Sequence, residues 1–144
     1  MDITANPGFL LHKVGSMIER VSDSILFDSF GMGYSQFKVL MALTFHEDIQ
    51  QKQIASFLGQ TEASISRQIK LLKDAGYISV RQGDDDRKKH HVSTTNKGRK
   101  FIQEAFEALN NFYGPILSSL TPHAQTELTK SLSHLHDQLT AYIK

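Results

Sequence analysis

A small residue, a glycine and a branched apolar residue stand at positions 55, 59 and 65, within a stretch of helical pattern. Ala55 lets two helices approach closely, and Gly59 adopts the left-handed backbone of a tight turn without steric cost. Ile65 anchors the second helix. This spacing predicts a helix-turn-helix, with one helix over residues 51–58 and a second over residues 61–75.

A short β-hairpin is predicted directly after the second of these helices. Residues 77–81 alternate in hydrophobicity in the manner of a strand, and residues 90–94 can form the returning partner strand. The glycine and three aspartates at 83–86 between them are typical of a turn. A helix-turn-helix followed by a hairpin is a winged helix-turn-helix, so the predicted fold class is mainly α with a small β-hairpin wing.

Two amphipathic helices are predicted ahead of this winged region. The first covers about Phe9 to Asp28, where apolar residues recur every three or four positions. The second is expected to begin at an N-cap formed by Ser35 and to end near His46. The side chains of this second helix that we expect to point inward are Phe37, Leu40, Met41 and Thr44.

Two further helices are predicted after Thr95. The first has a broad apolar face, and Gly114-Pro115 is expected to kink or interrupt it, because proline removes a backbone donor. Thr121-Pro122 is an N-cap followed by proline, which opens the last helix. That helix carries a seam, Leu128, Leu132, Leu135, Leu139 and Tyr142. The terminal helices thus carry more apolar surface than a small winged domain can cover, which predicts a homodimer.

Charge is concentrated in the middle of the chain. Residues 61–100 hold ten lysines and arginines against five acids, a net charge of +5, whereas the remainder holds six against ten, a net charge of −4. A basic region between acidic ends is expected where a protein faces phosphates. The chain has no cysteine, which excludes disulfides, thiolate metal sites and sulfur-based redox sensing.

The predicted DNA-binding residues lie on the second helix of the helix-turn-helix and on the wing. The helix presents small polar residues and two cations on the face away from its apolar anchors, a surface that fits a major groove. The wing brings together several cations beside three turn acids, and we expect one of these acids to pair with a wing arginine. The predicted contacts are Thr61, Ala63, Ser64, Ser66, Arg67 and Lys70 from the helix, and Arg81, Arg87, Lys88 and Lys89 from the wing.

From Ile54 to Gly98 the chain resembles the MarR family of multiple-antibiotic-resistance-type regulators. The most specific part runs from Asp86 to Gly98, Asp-Arg-Lys-Lys-His-His-Val-Ser-Thr-Thr-Asn-Lys-Gly, which follows the family's wing pattern. Thr94 departs from that pattern, since the family usually has an apolar residue there. Upstream, the residues that fall on positions the family fills similarly are Ile54-Ala55, Leu58-Gly59, Ser64, Arg67, Leu72 and Gly76-Tyr77-Ile78.

The resemblance implies one MarR-like domain over residues 1–144, with dimerisation helices at about 1–30 and 100–144 and a winged helix-turn-helix at about 35–98. It implies a homodimer that binds a pseudo-palindromic operator in double-stranded DNA as a ligand-responsive repressor. Arg87 would enter the minor groove, while Ser64 and Arg67 would contact DNA from the helix. It also implies a small phenolic or other aromatic effector in a cleft between the dimer helices and the winged domain. Positions such as His12, Ser16, Phe37 and Met41 could line that cleft, but they are explained more simply as core and surface residues.

Three other classes of function are weighed against this interpretation. A winged helix can serve as a protein-protein interaction module, but such a module does not require a concentrated positive charge. A metal-sensing regulator is a second alternative, although His134 and His136 lie two residues apart rather than four. No motif of an enzyme is present, so we predict no catalysis and no cofactor. The absence of a signal-peptide pattern or long apolar run predicts a cytoplasmic protein without a membrane partner.

Overall fold

The computed structural model describes residues 3–84 and 90–142. A short 3-10 helix at Ile3–Ala5 precedes six helices and three strands. These are α1 (Pro7–Phe30), α2 (Tyr34–Phe45), β1 (Ile49–Gln50), α3 (Gln51–Leu58), α4 (Glu62–Asp74), β2 (Ile78–Gln82), β3 (His90–Thr94), α5 (Asn96–Leu117) and α6 (Pro122–Thr140). The predicted fold class, mainly α with a small β wing, is therefore confirmed. None of the described helices combines the length and the apolar character needed to cross a membrane.

The chain divides into two compact units, Met1–Leu109 and Asn110–Lys144, and α5 contributes residues to both. In the first unit α2 lies at the centre, because it contacts α1, α3, α4 and β3. Its buried side chains are Phe37, Val39, Leu40, Ala42 and Leu43. The prediction of a single inward face was too narrow, since several elements cover α2. Thr44, predicted to point inward, is exposed, and its hydroxyl donates to the carbonyl oxygen of Leu40.

The start of α2 also differs from the prediction. Gly33 is the N-cap, and Ser35 lies inside the first turn of the helix. The free backbone donors are satisfied by other side chains: the Gly33 N–H donates to Gln36 Oε1 at 2.9 Å, and the Tyr34 N–H donates to Asp23 Oδ1 at 2.9 Å. Because Asp23 belongs to α1, this cap also ties the two helices together.

The wing is part of a three-stranded antiparallel sheet with the order β1-β3-β2. The hairpin of β2 and β3 was predicted, whereas β1 was missed. In the register of the sheet, Val92 of β3 lies between Ile49 and Val80, and its side chain is fully buried. The two residues of β1 thus attach the wing to the segment that leads directly into α3.

The start of α5 is fastened to the end of α4. The Thr95 hydroxyl donates to the carbonyl oxygens of Gly76 and Tyr77, at 2.8 and 3.0 Å, and accepts from the Gly98 N–H at 3.1 Å. Lys97 Nζ donates to the Ala75 carbonyl oxygen at 2.7 Å and lies 4.4 Å from the centre of the Tyr77 ring. These contacts hold the C-terminal end of α4 in one place relative to α5.

In the second unit, the expected interruption at Gly114-Pro115 does not occur. Helix α5 continues through Pro115 and ends two residues later, at Leu117. Pro115 costs the helix one hydrogen bond, because a proline has no N–H to donate to the carbonyl oxygen of Asn111, four residues earlier, and the helix tolerates this loss. The start of α6 is as predicted, since Pro122 is the first helical residue and the Thr121 hydroxyl accepts from the Ala124 N–H at 3.2 Å.

We expect Thr94→Val to raise the free energy of unfolding by about 1 kcal/mol, because a valine removes a buried polar atom and keeps a similar shape. Thr94 is paired with Ile78 in the sheet, and among the described residues its hydroxyl oxygen is buried without a partner. Urea denaturation of the native protein and of the Thr94→Val variant measures the difference in the free energy of unfolding. Thr95→Val is the matched control and should cost about 1–3 kcal/mol, since it removes three hydrogen bonds. A loss of stability in Thr94→Val would contradict the argument.

Candidate nucleic-acid interface

Helices α3 and α4 form the predicted helix-turn-helix. Gly59 ends α3 with a φ of +61°, in the left-handed region, and Ala55 of the same helix is buried. The predicted anchors of α4, Ile65, Ile69 and Leu72, are all buried. Because these residues recur every three or four positions, they occupy one face of α4 and leave the opposite face open to solvent.

The exposed face of α4 contains most of the predicted contact residues of the helix. Those that are exposed are Thr61, Ala63, Ser66, Arg67 and Lys70. Ser64 is half-buried, and its hydroxyl lies 3.3 Å from Gln60 Oε1, so it lies at the edge of this face. The Thr61 hydroxyl accepts from the Ser64 N–H at 3.2 Å and caps the helix. Small side chains around two cations leave room for a closely approaching partner.

The two cations of this face differ in their surroundings. Lys70 Nζ lies 3.3 Å from Asp74 Oδ2, one turn along the helix, and both side chains are largely exposed. Arg67 makes no ion pair with any residue that the structure describes. Its guanidinium is thus free to bind an external acceptor, and its fork of donors suits a guanine edge or a phosphate.

Arg81, the predicted wing cation within the described residues, is held by two carboxylates. Its Nη2 lies 3.0 Å from Asp48 Oδ2 and its Nη1 lies 3.7 Å from Asp84 Oδ2. The expected pairing of a turn acid with a wing arginine is therefore found at Asp84. Arg87, Lys88 and Lys89 lie outside the described residues, and their predicted contacts stay predictions.

Asp48 is a functional candidate that the sequence interpretation missed. It precedes β1, has a φ of +55°, and binds side chains from both strands of the wing hairpin. Besides Arg81, its Oδ1 accepts from the Ser93 hydroxyl at 3.5 Å, and its backbone carbonyl oxygen lies 3.1 Å from His91 Nδ1. The available signal was an aspartate after a helix end, since aspartate tolerates the left-handed region.

The residues proposed to line an effector cleft differ in burial. Phe37 belongs to the core and contacts the Phe101 ring, whereas His12 and Ser16 are exposed on α1. A cavity of about 240 Å³ in this unit has a different lining, namely Glu19, Arg20, Asp23, Tyr34, Ser35 and Lys38. In residues 3–84 and 90–142, no three histidines or acids form a cluster that could hold a metal ion.

Comparison with known proteins matches residues 30–89 to the model of the MarR family. The HTH-type transcriptional regulator PapX of Escherichia coli is 31% identical over 102 residues, which cover 69% of this chain and 62% of PapX. The chain thus spans less than two thirds of PapX. The HTH-type transcriptional regulator YwoH of Bacillus subtilis, itself uncharacterized, is 32% identical over 95 residues, 64% of this chain and 69% of YwoH. A solved MarR transcriptional regulator from Methanosarcina mazei Go1 superposes with a TM-score of 0.82, at 24% identity and covering 92% of this chain and 98% of that one.

Proposed function

Because the chain belongs to the MarR family of transcriptional regulators, we propose that it binds double-stranded DNA in a sequence-specific manner and regulates transcription as a homodimer. The observation that carries this proposal is the exposed face of α4, which three buried apolar residues anchor from behind. This face presents Arg67, which makes no ion pair within residues 3–84 and 90–142. Members of this family are regulators rather than enzymes, which agrees with the absence of a catalytic motif in the sequence.

Helix α4 has the dimensions and chemistry of a recognition helix. A major groove about 12 Å wide admits one α-helix, and small side chains on that helix allow its backbone to approach the bases closely. Ala63 and Ser66 are small and exposed, and Arg67 stands beside them. In helix-turn-helix proteins the N-terminal part of the second helix contacts the base edges, and these residues lie in the first two turns of α4.

Exposed apolar side chains in each unit support a homodimer. In the first unit, α1 exposes a series that comprises Phe9, Leu10, Leu11, Val14, Met17 and Ile18. In the second unit, the exposed large apolar side chains are Phe112, Ile116, Leu117, Leu120, Leu128, Leu132, Leu135, Leu139 and Tyr142. Large exposed apolar surfaces are unfavourable in water, so a second copy of the chain is the simplest way to cover these side chains. A two-fold dimer would place two α4 helices on half-sites about one helical turn of DNA apart.

We expect Arg67→Ala to weaken binding to the preferred duplex about 5- to 150-fold and to relax the base preference at one position of each half-site. This range corresponds to about 1–3 kcal/mol for the loss of a bidentate arginine-guanine contact. The preferred duplex is first selected from a random library with the native protein. Affinities for selected and random duplexes are then measured at one fixed salt concentration, since phosphate contacts depend strongly on salt.

Lys73→Ala is the control for this experiment, because Lys73 is an exposed cation in the last turn of the same helix. Its loss should weaken selected and random duplexes by a similar small factor. Equal losses on both duplexes for Arg67→Ala would refute the role of Arg67 in reading a base. A native protein that binds no duplex in a salt-dependent manner would refute DNA binding altogether, and would favour a winged helix that binds other proteins.

We further propose that a small aromatic compound acts as an effector and that the protein represses transcription from a promoter overlapping its operator. The family resemblance is the support for both. An effector must bind the DNA-free arrangement of the dimer more tightly than the DNA-bound one if it is to release the duplex. Phenolic compounds that raise the thermal midpoint of the protein and also release the selected duplex would identify it. Divalent metals in the same screen test the alternative of a metal sensor.

A further inference from the structure

We propose that Asp48 is a positioning residue for DNA binding, which holds the wing against the helix-turn-helix and raises duplex affinity although it carries a negative charge. The proposal rests on the proposed function, since it concerns how the same interface is arranged. Asp48 is not itself a predicted DNA contact. It would act through Arg81, the wing cation that its carboxylate binds at 3.0 Å.

The geometry places Asp48 at the junction of three elements. It precedes β1, which pairs with β3, and α3 begins directly after β1. Its side chain binds Arg81 from β2 and Ser93 from β3, while its carbonyl oxygen meets His91, which is the register partner of Arg81. One residue thus connects both strands of the hairpin to the first helix of the helix-turn-helix.

The contacts that Asp48 makes with Arg81, His91 and Ser93 orient the hairpin rather than stabilise the whole fold. The side chains of Asp48 and Arg81 are about half exposed, 48% and 56%, and ion pairs in such surroundings contribute little to the free energy of unfolding. Several weak bonds to one residue nevertheless restrict the directions that the hairpin can take. A hairpin that is already oriented loses less conformational entropy when it meets DNA, and this raises affinity.

The direction in which duplex affinity changes on removal of the Asp48 carboxylate distinguishes this proposal from a purely electrostatic effect. A carboxylate near the duplex repels phosphates, so its removal should strengthen binding if charge alone mattered. Its removal would also release Arg81 to contact a phosphate, which again favours tighter binding and a steeper salt dependence. If Asp48 positions the wing, its removal weakens binding and leaves the salt dependence almost unchanged.

The test uses Asp48→Gly and Asp48→Asn in the full-length chain. Both residues tolerate the left-handed backbone of position 48, so neither introduces strain there. Glycine removes all side-chain bonds, whereas asparagine keeps an acceptor oxygen at the same place. We expect Asp48→Gly to weaken binding to the selected duplex about tenfold, and Asp48→Asn to weaken it no more than about threefold. Unchanged or tighter binding by Asp48→Gly would overturn the proposal.

Arg81→Ala supplies a double-mutant cycle that separates a shared role from two independent ones. If Asp48 acts through Arg81, adding Asp48→Gly to Arg81→Ala should cost less than twofold further, because the interaction is already lost. If the two substitutions instead reduce duplex affinity by fully additive amounts, Asp48 does not act through Arg81. Amide hydrogen exchange of the DNA-free protein is the second measurement, and Asp48→Gly should speed exchange in β2 and β3 but not in α4. If the native protein bound no duplex, the proposed function would fail, and unchanged exchange in the variant would show separately that Asp48 does not hold the wing.

Discussion

Replacing Gly98 with alanine is expected to lower the free energy of unfolding by about 3 kcal/mol, the upper end of the usual cost of overpacking. A Cβ at this position would overlap the backbone carbonyl oxygen of Tyr77 and would lie 2.7 Å from Thr94 Cγ2. The Tyr77 carbonyl cannot move aside easily, because it already accepts hydrogen bonds from the Thr95 hydroxyl and the Thr95 N–H. The better helix propensity of alanine returns only about 1 kcal/mol.

Chemical denaturation of the purified variant measures this loss, and Lys100→Ala is the matched control two residues further along α5. The Lys100 side chain is 77% exposed and pairs with Glu104 on its own helix, so its removal should change stability by less than about 0.5 kcal/mol. A loss below about 1 kcal/mol in Gly98→Ala would mean that the backbone at the α4–α5 junction yields to a methyl group. The conclusion that the contacts of Thr95 and Lys97 fix the end of α4 relative to α5 would then be wrong.

Local patterns predicted the helix-turn-helix well because its determinants lie close together in the chain. Ala55, Gly59 and Ile65 are separated by four and six positions, and each acts on its immediate neighbours. Thr61 and Thr121 are caps for the same reason, since a cap bonds to an amide three residues away. Where a structural element is determined by residues close together in the chain, hydrophobic periodicity and capping residues are sufficient to predict it.

The features that the sequence interpretation missed depend on contacts between distant residues. The N-terminal amide of α2 is capped by Asp23, eleven positions away, so the nearer Ser35 was a misleading signal. Strand β1 has only two residues, too few to show alternation, and it exists because β3 pairs with it. Asp48 binds Arg81, 33 positions later, a separation that no local pattern reports.

The net charge of the basic region overstates the cations that are free to bind DNA. Of the described basic residues there, Lys70 and Lys100 pair with acids on their own helices, and Arg81 pairs with two carboxylates. Lys97 bonds to a backbone carbonyl at the end of α4. Among the described residues of this region, Arg67 and Lys73 have no such partner. Of these two, Arg67 lies nearer the start of α4, the part of a recognition helix that contacts the bases.

Leu132→Glu is expected to convert the proposed dimer to a monomer and to weaken binding to the selected duplex more than a hundredfold. Leu132 lies in the middle of the leucine seam of α6 and is 42% exposed in the single chain. In a two-fold interface each substitution occurs twice, so two carboxylates would have to be buried for every dimer. A monomer has only one α4, so it loses the gain in affinity from binding two half-sites at once, and this gain is typically about 10²- to 10⁴-fold.

Sedimentation at several protein concentrations, with duplex binding on the same samples, measures both effects, and circular dichroism shows whether the helices are retained. Ser133→Glu is the control, because helical geometry places Ser133 on the other side of α6 from the seam and the same charge is added. We expect that variant to stay dimeric and to bind within about threefold of the native protein, since a single surface charge changes little. A dimeric Leu132→Glu protein with native affinity would show that the α6 leucines do not form the interface, and a monomeric one with native affinity would show that DNA binding needs only one copy of α4.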